Sequence, residues 1–212
     1  ADAGIFVSTS CSGTGSTAIC TAAGTTSTNT PLLYQSTDGG SSWSAVTTTS
    51  DNGSFYSTNC SGSGSSTICI AAGVDSTTNT PLLYQSTNGG STWSAITTSS
   101  DNSSFVSTSC SGMGSTAICA AAGVDSTTNT PLLYQSRDGG GTWSAVATAS
   151  AGYFDSTSCS GTGSTAICTA AGVNTNTNIP LLYQSTNGSS TWNAVTTTSD
   201  TGIFYDTSCS SE

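Results

Sequence analysis

The sequence repeats itself with a period of 49 or 50 residues, and this feature constrains the fold more than any other. A fixed period of this length is typical of architectures in which each unit stacks on its neighbours to complete a core. The markers of the period are two cysteines and one tryptophan in each copy: Cys11, Cys60, Cys110 and Cys159; Cys20, Cys69, Cys119 and Cys168; Trp43, Trp93, Trp143 and Trp192. We therefore divide the chain into repeats 1–50, 51–100, 101–149 and 150–199, with 200–212 as the first strand of a partial fifth repeat.

Each repeat contains four short apolar and β-branched runs, separated by turns rich in glycine and polar residues. In the first repeat these runs predict strands a (Gly4–Cys11), b (Thr17–Ala23), c (Leu32–Ser36) and d (Ser42–Thr48). Four strands in about 50 residues is the size of one propeller blade. The sequence thus predicts one compact all-β domain, a β-propeller or propeller-like array of four units with a surplus C-terminal strand.

The apolar residues of these strands are few, and serine and threonine fill many of the remaining positions. Phe6, Ile19, Leu33, Trp43 and Val46 are the predicted core residues of the first repeat. Such a core is thin, so each unit needs its neighbours, and disulfides would add to its stability.

The predicted turn between strands c and d carries the most specific motif. Its first copy reads Ser-Thr-Asp-Gly-Gly-Ser-Ser-Trp, and the four copies are in register. The motif residues are Ser36, Asp38, Gly40 and Trp43; Ser86, Asn88, Gly90 and Trp93; Ser136, Asp138, Gly140 and Trp143; and Ser185, Asn187 and Trp192. This pattern resembles the Asp-box, or bacterial neuraminidase repeat, S-x-D-x-G-x-T-W. Asn88 and Asn187 replace the aspartate, and Ser189 replaces a glycine.

The resemblance implies a place and a role for the motif. In that family the box lies on the hairpin between the third and fourth strands of a propeller blade, where its Asp or Asn caps the turn and its Trp packs between the strands. Sialidases with this motif also use an arginine cluster and a tyrosine–glutamate pair. This chain has one arginine, Arg137, and one glutamate, Glu212, so the resemblance implies a non-catalytic member.

The composition argues against catalysis, cofactors and polyanionic partners. Without histidine or lysine the chain has no imidazole base and no Schiff-base amine. Most aspartates outside the motif fall in predicted turns, and Asp75 and Asp125 give only one carboxylate per loop, which is too few for calcium. A net charge of −10 with a single cation disfavours nucleic acid and anionic membranes. No apolar run approaches the ~20 residues of a membrane span.

Nine cysteines without histidine predict disulfides and hence an extracellular or cell-surface protein. The N-terminal Ala-Asp-Ala-Gly is typical of a processed, mature chain. One pairing stays within each a–b hairpin: Cys11–Cys20, Cys60–Cys69, Cys110–Cys119 and Cys159–Cys168, leaving Cys209 unpaired or intermolecular. The alternative joins successive repeats: Cys20–Cys60, Cys69–Cys110, Cys119–Cys159 and Cys168–Cys209, leaving Cys11.

Two functional hypotheses follow. The segment Thr201–Cys209 copies Ala3–Cys11, and an unpaired strand invites pairing with another chain. The leading hypothesis is an exported structural repeat protein that assembles with copies of itself into a filament or surface layer. A simpler explanation of the extra strand is that the chain is a fragment of a longer array, cut inside a fifth repeat. The alternative is a carbohydrate-binding adhesin that stacks glycans on a repeated strand-c aromatic, unless that aromatic is core. The candidate residues are Tyr34, Tyr84, Tyr134 and Tyr183.

Overall fold

A computed structural model describes residues 3–48, 52–98, 102–148, 151–197 and 200–210. Over these ranges the chain forms sixteen strands and four short 3-10 turns, with no α-helix. The strands form four antiparallel sheets of four strands each, one sheet per repeat, and the strand order within each sheet follows the chain. We call these sheets units 1 to 4.

The four units have nearly the same strand bounds. Unit 1 contains β1 (Gly4–Ser12), β2 (Ile19–Thr26), β3 (Pro31–Ser36) and β4 (Ser44–Ala45). Unit 2 contains β5 (Gly53–Ser61), β6 (Ile68–Asp75), β7 (Thr80–Ser86) and β8 (Ser94–Ala95). Unit 3 contains β9 (Ser103–Ser111), β10 (Ile118–Asp125), β11 (Thr130–Ser136) and β12 (Ser144–Ala145). Unit 4 contains β13 (Tyr153–Ser160), β14 (Ile167–Asn174), β15 (Ile179–Ser185) and β16 (Asn193–Ala194).

The four-stranded prediction is confirmed, but the predicted bounds of strands b and d are wrong, and strand b runs to Thr26 rather than to Ala23. The predicted strand d, Ser42–Thr48, is only the two-residue β4. The preceding motif is closed into a hydrogen-bonded turn, so the ladder starts only at Ser44. Strand b starts at Ile19 rather than Thr17, because Gly15–Thr17 forms a 3-10 turn.

The first two strands of each unit share a β-bulge that requires a glycine. In unit 2 the β5–β6 pairing shifts between Phe55 and Ser57, with Gly73 opposite Phe55. A Cβ atom at Gly73 would collide with the carbonyl oxygen of Ser54, and the equivalent glycines of the other units meet the same obstacle. The bulge therefore brings two backbones closer than any side chain allows.

Side-chain hydroxyls join the units along their first strands. The backbone N–H of Thr58 donates to Ser8 Oγ at 3.0 Å, and that of Cys60 donates to Ser10 Oγ at 2.9 Å. The same bonds recur two units later, where Thr157 and Cys159 donate to Ser107 and Ser109. Serine thus supplies between units the hydrogen bonds that a backbone ladder supplies within one, which accounts for the serine-rich first strands.

The units form an open propeller-like array. Successive first strands lie against one another, while over the described residues unit 4 does not return to close a ring with unit 1. The predicted core positions Ile19 and Leu33 are buried, and Val46 is half-buried. Phe6 and Trp43 are not core, since 48% and 42% of their surface is exposed. Their counterparts in later units are covered by the preceding unit, whereas no described unit covers the front face of unit 1.

Candidate interaction site: two open faces of the array

Each unit has a front face, which contacts the preceding unit, and a back face, which contacts the following one. A front face combines a phenylalanine and an alanine from the first two strands, a leucine and a tyrosine from the third, and the turn tryptophan. In unit 2 these are Phe55, Ala71, Leu82, Tyr84 and Trp93. The back face of unit 1 that covers them consists of Ala23, Leu33 and Val46. The same contacts join unit 2 to unit 3 and unit 3 to unit 4.

The disulfides belong to these contacts as well. Ile19 of unit 1 packs against Cys60 and Cys69 of unit 2, together with Trp93. Ile68 and Ile118 make the corresponding contacts with the disulfides of units 3 and 4. Each disulfide is therefore both a hairpin cross-link and an apolar surface for the preceding unit.

The turn tryptophan connects successive units. The resemblance to the Asp-box had instead implied that it packs between the strands of its own unit. Trp93 Nε1 donates to Gln35 Oε1 of unit 1 at 2.6 Å. Trp143 and Trp192 make the same bond to the glutamine of the preceding unit, at 2.9 and 2.7 Å. Trp43 instead donates to the carbonyl oxygen of Gly40 in its own turn, at 3.2 Å.

Unit 1 presents its front face uncovered. An apolar recess is lined by Phe6, Ala22, Leu32, Tyr34 and Trp43, the five residues whose counterparts form the buried front faces of units 2 to 4. Phe55, the counterpart of Phe6, is completely buried. An apolar patch of this kind, rimmed by polar residues, is typical of an interaction surface.

Unit 4 presents a partly uncovered back face. Ile167 is 39% exposed, whereas its counterpart Ile118 is 2% exposed because the next unit covers it. Val195, the counterpart of Val46, is also exposed. Gln184 stands where Gln35, Gln85 and Gln135 accept a tryptophan N–H. The open back face of unit 4 therefore complements the open front face of unit 1.

Three of the four tyrosines considered as sugar-stacking sites are buried between units. Tyr84, Tyr134 and Tyr183 are only 3–4% exposed. Each ring lies edge-on to the front-face phenylalanine of its own unit, with ring centroids 5.5–5.6 Å apart. A ring buried on both sides has no face for a sugar, so at these three positions the tyrosine is core. Tyr34 makes the same contact with Phe6, but on the open front face.

The c–d turn is held by its serine and its aspartate or asparagine. Ser36 Oγ donates to Asp38 Oδ1 at 2.7 Å and accepts the N–H of Gly40 at 2.8 Å. Hydrogen bonds from the side chain and backbone of Ser42, then from Ser36, lower the pKa of Asp38 to about 2. Ionised Asp38 therefore favours the fold at neutral pH, and this contribution is lost as the pH falls through that pKa.

The asparagine copies keep the same turn. Asn88 Oδ1 accepts the backbone N–H of Thr92 at 3.0 Å, and Asn187 Oδ1 accepts that of Thr191 at the same distance. At Asp138 partial burial raises the pKa, but the hydrogen bonds from Thr142 and Ser136 outweigh it, so the pKa lies below its usual value. All four turns thus use a side-chain acceptor oxygen at this position, and two of them do so without a charge.

Ser189 is the strained copy, and replacing it with glycine should stabilise the protein. Ser189 is completely buried, has φ of +59°, and its hydroxyl has no hydrogen-bond partner. Left-handed backbone costs a non-glycine residue about 1–3 kcal/mol, partly offset by the greater flexibility of unfolded glycine. We expect Ser189→Gly to raise the free energy of unfolding by about 1–2 kcal/mol in urea denaturation.

The reverse change at Gly40 provides the control. Gly40 also has positive φ, and nothing lies within 4 Å of the place its Cβ would take. Gly40→Ser should therefore lower stability through the backbone alone. Equal stability of Ser189→Gly and the parent would show that the strain is absent.

The structure places all four disulfides within the first hairpins, as pairs of directly opposed cysteines. Cys11 lies opposite Cys20, and the other three pairs repeat this arrangement, each with a Cα–Cα distance of 4.1 Å. These pairs exclude the alternative set of disulfides between successive repeats. Cys209 is the free cysteine and is half-buried. Four disulfides fit an oxidising compartment.

The remaining acidic groups do not come together into a metal or catalytic cluster in the described ranges. No group of three or more Cys, Asp or Glu side chains converges there. Asp75 Oδ1 accepts the backbone N–H groups of Thr77 and Thr78, and Asp125 does the same in its own loop. Within the same ranges, no helix is long and apolar enough to cross a bilayer.

A polar cleft between units 2 and 3 was missed from the sequence. Tyr56, 42% exposed, lines it together with Asn79, Asn102 and Ser126. No repeated motif marks the site, because Asp155 occupies the Tyr56 position in unit 4. Burial raises the pKa of Asp155, and one of its carboxylate oxygens is buried without a partner.

Comparison with known proteins supports the fold. No protein-family model and no curated protein matches the chain. The Aleuria aurantia lectin in complex with alpha-methyl-L-fucoside matches with a TM-score of 0.56 and 11% identity, over 90% of this chain and 62% of the lectin. YCF48 bound to D1 peptide gives 0.53 and 17%, over 93% and 55%. A Hadza microbial sialidase gives 0.53 and 13%, over 95% and 47%.

These relatives are β-propeller proteins, and the chain spans about half to three fifths of their length. They include a lectin, a peptide-bound protein and a glycosidase. At such low identity the likeness establishes the propeller-type fold and leaves the function to be argued from the site.

Proposed function

We propose that this chain is an extracellular structural repeat protein whose copies assemble head to tail, the front face of unit 1 in one copy covering the back face of unit 4 in another. One observation carries the proposal: the side chains exposed on the front face of unit 1 are those that units 2, 3 and 4 each bury against a preceding unit. The turns that carry the tryptophans are assigned, as part of this proposal, to the Asp-box pattern.

The specific contacts of the joint follow from the contacts inside the chain. Trp43 Nε1 would donate to Gln184 of the next copy, as Trp93 donates to Gln35. Ile167 would cover the disulfide of Cys20 in unit 1, as Ile19 covers Cys60–Cys69. Because the two faces differ, the contact is heterologous and leaves one open face at each end of an assembly that does not close. Unless the rotation closes a ring, such contacts produce a filament.

Sedimentation velocity at increasing protein concentration tests this proposal. The parent chain should form a concentration-dependent series of oligomers, and Trp43→Ala should shift that series to at least tenfold higher concentration, since a buried aromatic at an interface carries about 1.4 kcal/mol or more. Tyr56→Ala removes an equally exposed aromatic outside the two faces and should assemble like the parent. A parent chain that stays monomeric at every concentration would overturn the proposal.

A second candidate function, glycan binding, is favoured by the cleft between units 2 and 3. Tyr56 offers an exposed ring beside the amides of Asn79 and Asn102, a combination of stacking surface and hydrogen-bonding groups that suits a sugar. One relative is a lectin in complex with a fucoside, so fucosides are a reasonable first probe. A glycan array in which the parent binds and Tyr56→Ala does not would support this function, and an array without binding would reject it.

A further inference from the structure

We infer that residues 200–210 of one copy replace β1 in the next copy, and that Cys209 then takes the place of Cys11 in the disulfide with Cys20. This inference rests on the proposed head-to-tail assembly and specifies how the joint is made. The observation behind it is the position of the 200–210 segment, which lies on unit 4 where the first strand of a following unit would lie.

The hydrogen bonds of the segment match those of a first strand. The N–H of Gly202 donates to the carbonyl oxygen of Asn178 at 2.8 Å, as the N–H of Gly53 in unit 2 donates to the carbonyl oxygen of Asn29 in unit 1. The N–H of Cys209 donates to Ser158 Oγ at 3.0 Å, as Cys60 donates to Ser10.

The hydroxyl contacts match as well. Thr207 Oγ1 lies 2.7 Å from Thr169 Oγ1, as Thr58 lies 2.8 Å from Thr21. The segment is therefore docked in the register that β5 adopts on unit 1.

The segment nevertheless forms no strand, contrary to the surplus strand predicted from the sequence. A strand needs a ladder partner, and none of the described residues pairs with 200–210. In unit 2 the corresponding partner is β6, which places Cys60 directly opposite Cys69. The unpaired edge of the segment and the exposed side chain of Phe204 are what such a partner would cover.

The second strand of unit 1, β2, is the partner that fits. Its present partner β1 lies at the open end of the array, and its side chains are exposed or half-buried throughout. Six of the nine residues in Thr201–Cys209 are identical to those in Ala3–Cys11. Exchanging one strand for the other therefore preserves the β2 ladder and places Phe204 edge-on to Tyr34, where Phe6 lies now.

The exchange balances chemically without an external oxidant. The Cys209 thiol loses a proton, and the thiolate attacks Cys20 Sγ in the Cys11–Cys20 disulfide. A Cys209–Cys20 bond forms, the Cys11–Cys20 bond breaks, and Cys11 leaves as a thiolate that takes up a proton. The number of disulfides and thiols is unchanged. The free thiol moves from residue 209 of one copy to residue 11 of the next.

The test uses a mixture of ¹⁵N-labelled and unlabelled 212-residue chains, assembled without reductant, quenched with a thiol-alkylating reagent and digested with chymotrypsin. Mass spectrometry should find Cys209 linked to Cys20 in peptides that pair one labelled with one unlabelled strand, together with alkylated Cys11. Non-reducing gels should show a ladder that is lost completely in Cys209→Ser.

The outcomes separate this inference from the proposed function. Oligomers in sedimentation that contain alkylated Cys209 and an intact Cys11–Cys20 bond would overturn the strand exchange and leave head-to-tail assembly standing. Cys209–Cys20 peptides that never mix isotopes would show closure within one chain and would also overturn it. Cys209→Ser leaves the front face of unit 1 and the back face of unit 4 unchanged. If head-to-tail assembly and the strand exchange are both correct, this variant should still form oligomers in sedimentation but show no covalent ladder on non-reducing gels.

Discussion

Replacing Phe105 with alanine should lower the free energy of unfolding by about 3–5 kcal/mol, the range for truncating a large buried aromatic. Phe105 is completely buried between units 2 and 3, where it contacts Tyr134 edge-on at 5.5 Å and packs against Leu83. The backbone around it is fixed by the β-bulge opposite Gly123, so the cavity has little freedom to collapse. Guanidinium denaturation followed by tryptophan fluorescence measures the loss.

Phe6→Ala is the matched control because Phe6 occupies the same position in unit 1 and makes the same edge-on contact, with Tyr34 at 5.6 Å. Its ring is 48% exposed, so in monomeric protein the change should cost only the aromatic pair, about 0.5–1.5 kcal/mol. Equal losses for Phe6→Ala and Phe105→Ala would contradict the view that stability resides in the contacts between units.

Removing the disulfide of unit 3 should have the second large effect. Cys110→Ala with Cys119→Ala opens a loop with a sequence separation of 9 and should cost about 2–5 kcal/mol. Both sulfurs are buried and pack against Ile68 and Ile70 of unit 2, so the change removes contacts between units in addition to the cross-link. Thermal and chemical denaturation of the oxidised proteins compare the variant with the parent.

The control is Cys11→Ala with Cys20→Ala, which removes the disulfide of unit 1, where no described unit covers the front face. The sequence separation is again 9, so the chain-entropy part should be equal, about 2–3 kcal/mol. Cys11 is exposed and no described unit covers that disulfide, so the total loss should be smaller than in unit 3. A larger loss at Cys11–Cys20 would mean that the disulfides act independently of the unit contacts.

The sequence predicts much of this fold because the period, the hairpin cysteines and the turn motif are local signals repeated four times. Ile19 and Leu33 could be assigned to the core from alternation within a strand. Phe6 and Trp43 could not, because their burial depends on a neighbouring unit, and a periodic sequence gives every copy the same expectation. A terminal unit has the same sequence pattern as an internal one and differs from it only in lacking a neighbour that covers one face.

The interaction site was predictable only in part. The duplicated Thr201–Cys209 segment indicated contact with another chain, but its docking on unit 4 rests on hydrogen bonds that it donates to Ser158 and Asn178, which no motif marks. The repeated tyrosines favoured a sugar site because a strand-c aromatic is compatible with either face. Their burial follows from the preceding unit, whose back face covers the front face on which they lie. Tyr56 carried no signal, since its position varies between units.

Electron cryo-microscopy of the assembled 212-residue chain tests the central claim most directly. The account predicts filaments in which units follow one another at the same spacing within each copy and across each junction. At a junction, Trp43 of one copy should donate to Gln184 of the next, and a strand should be paired with β2 in every unit 1. Isolated monomers at every concentration, or copies joined through any surface other than the front face of unit 1 and the back face of unit 4, would contradict it.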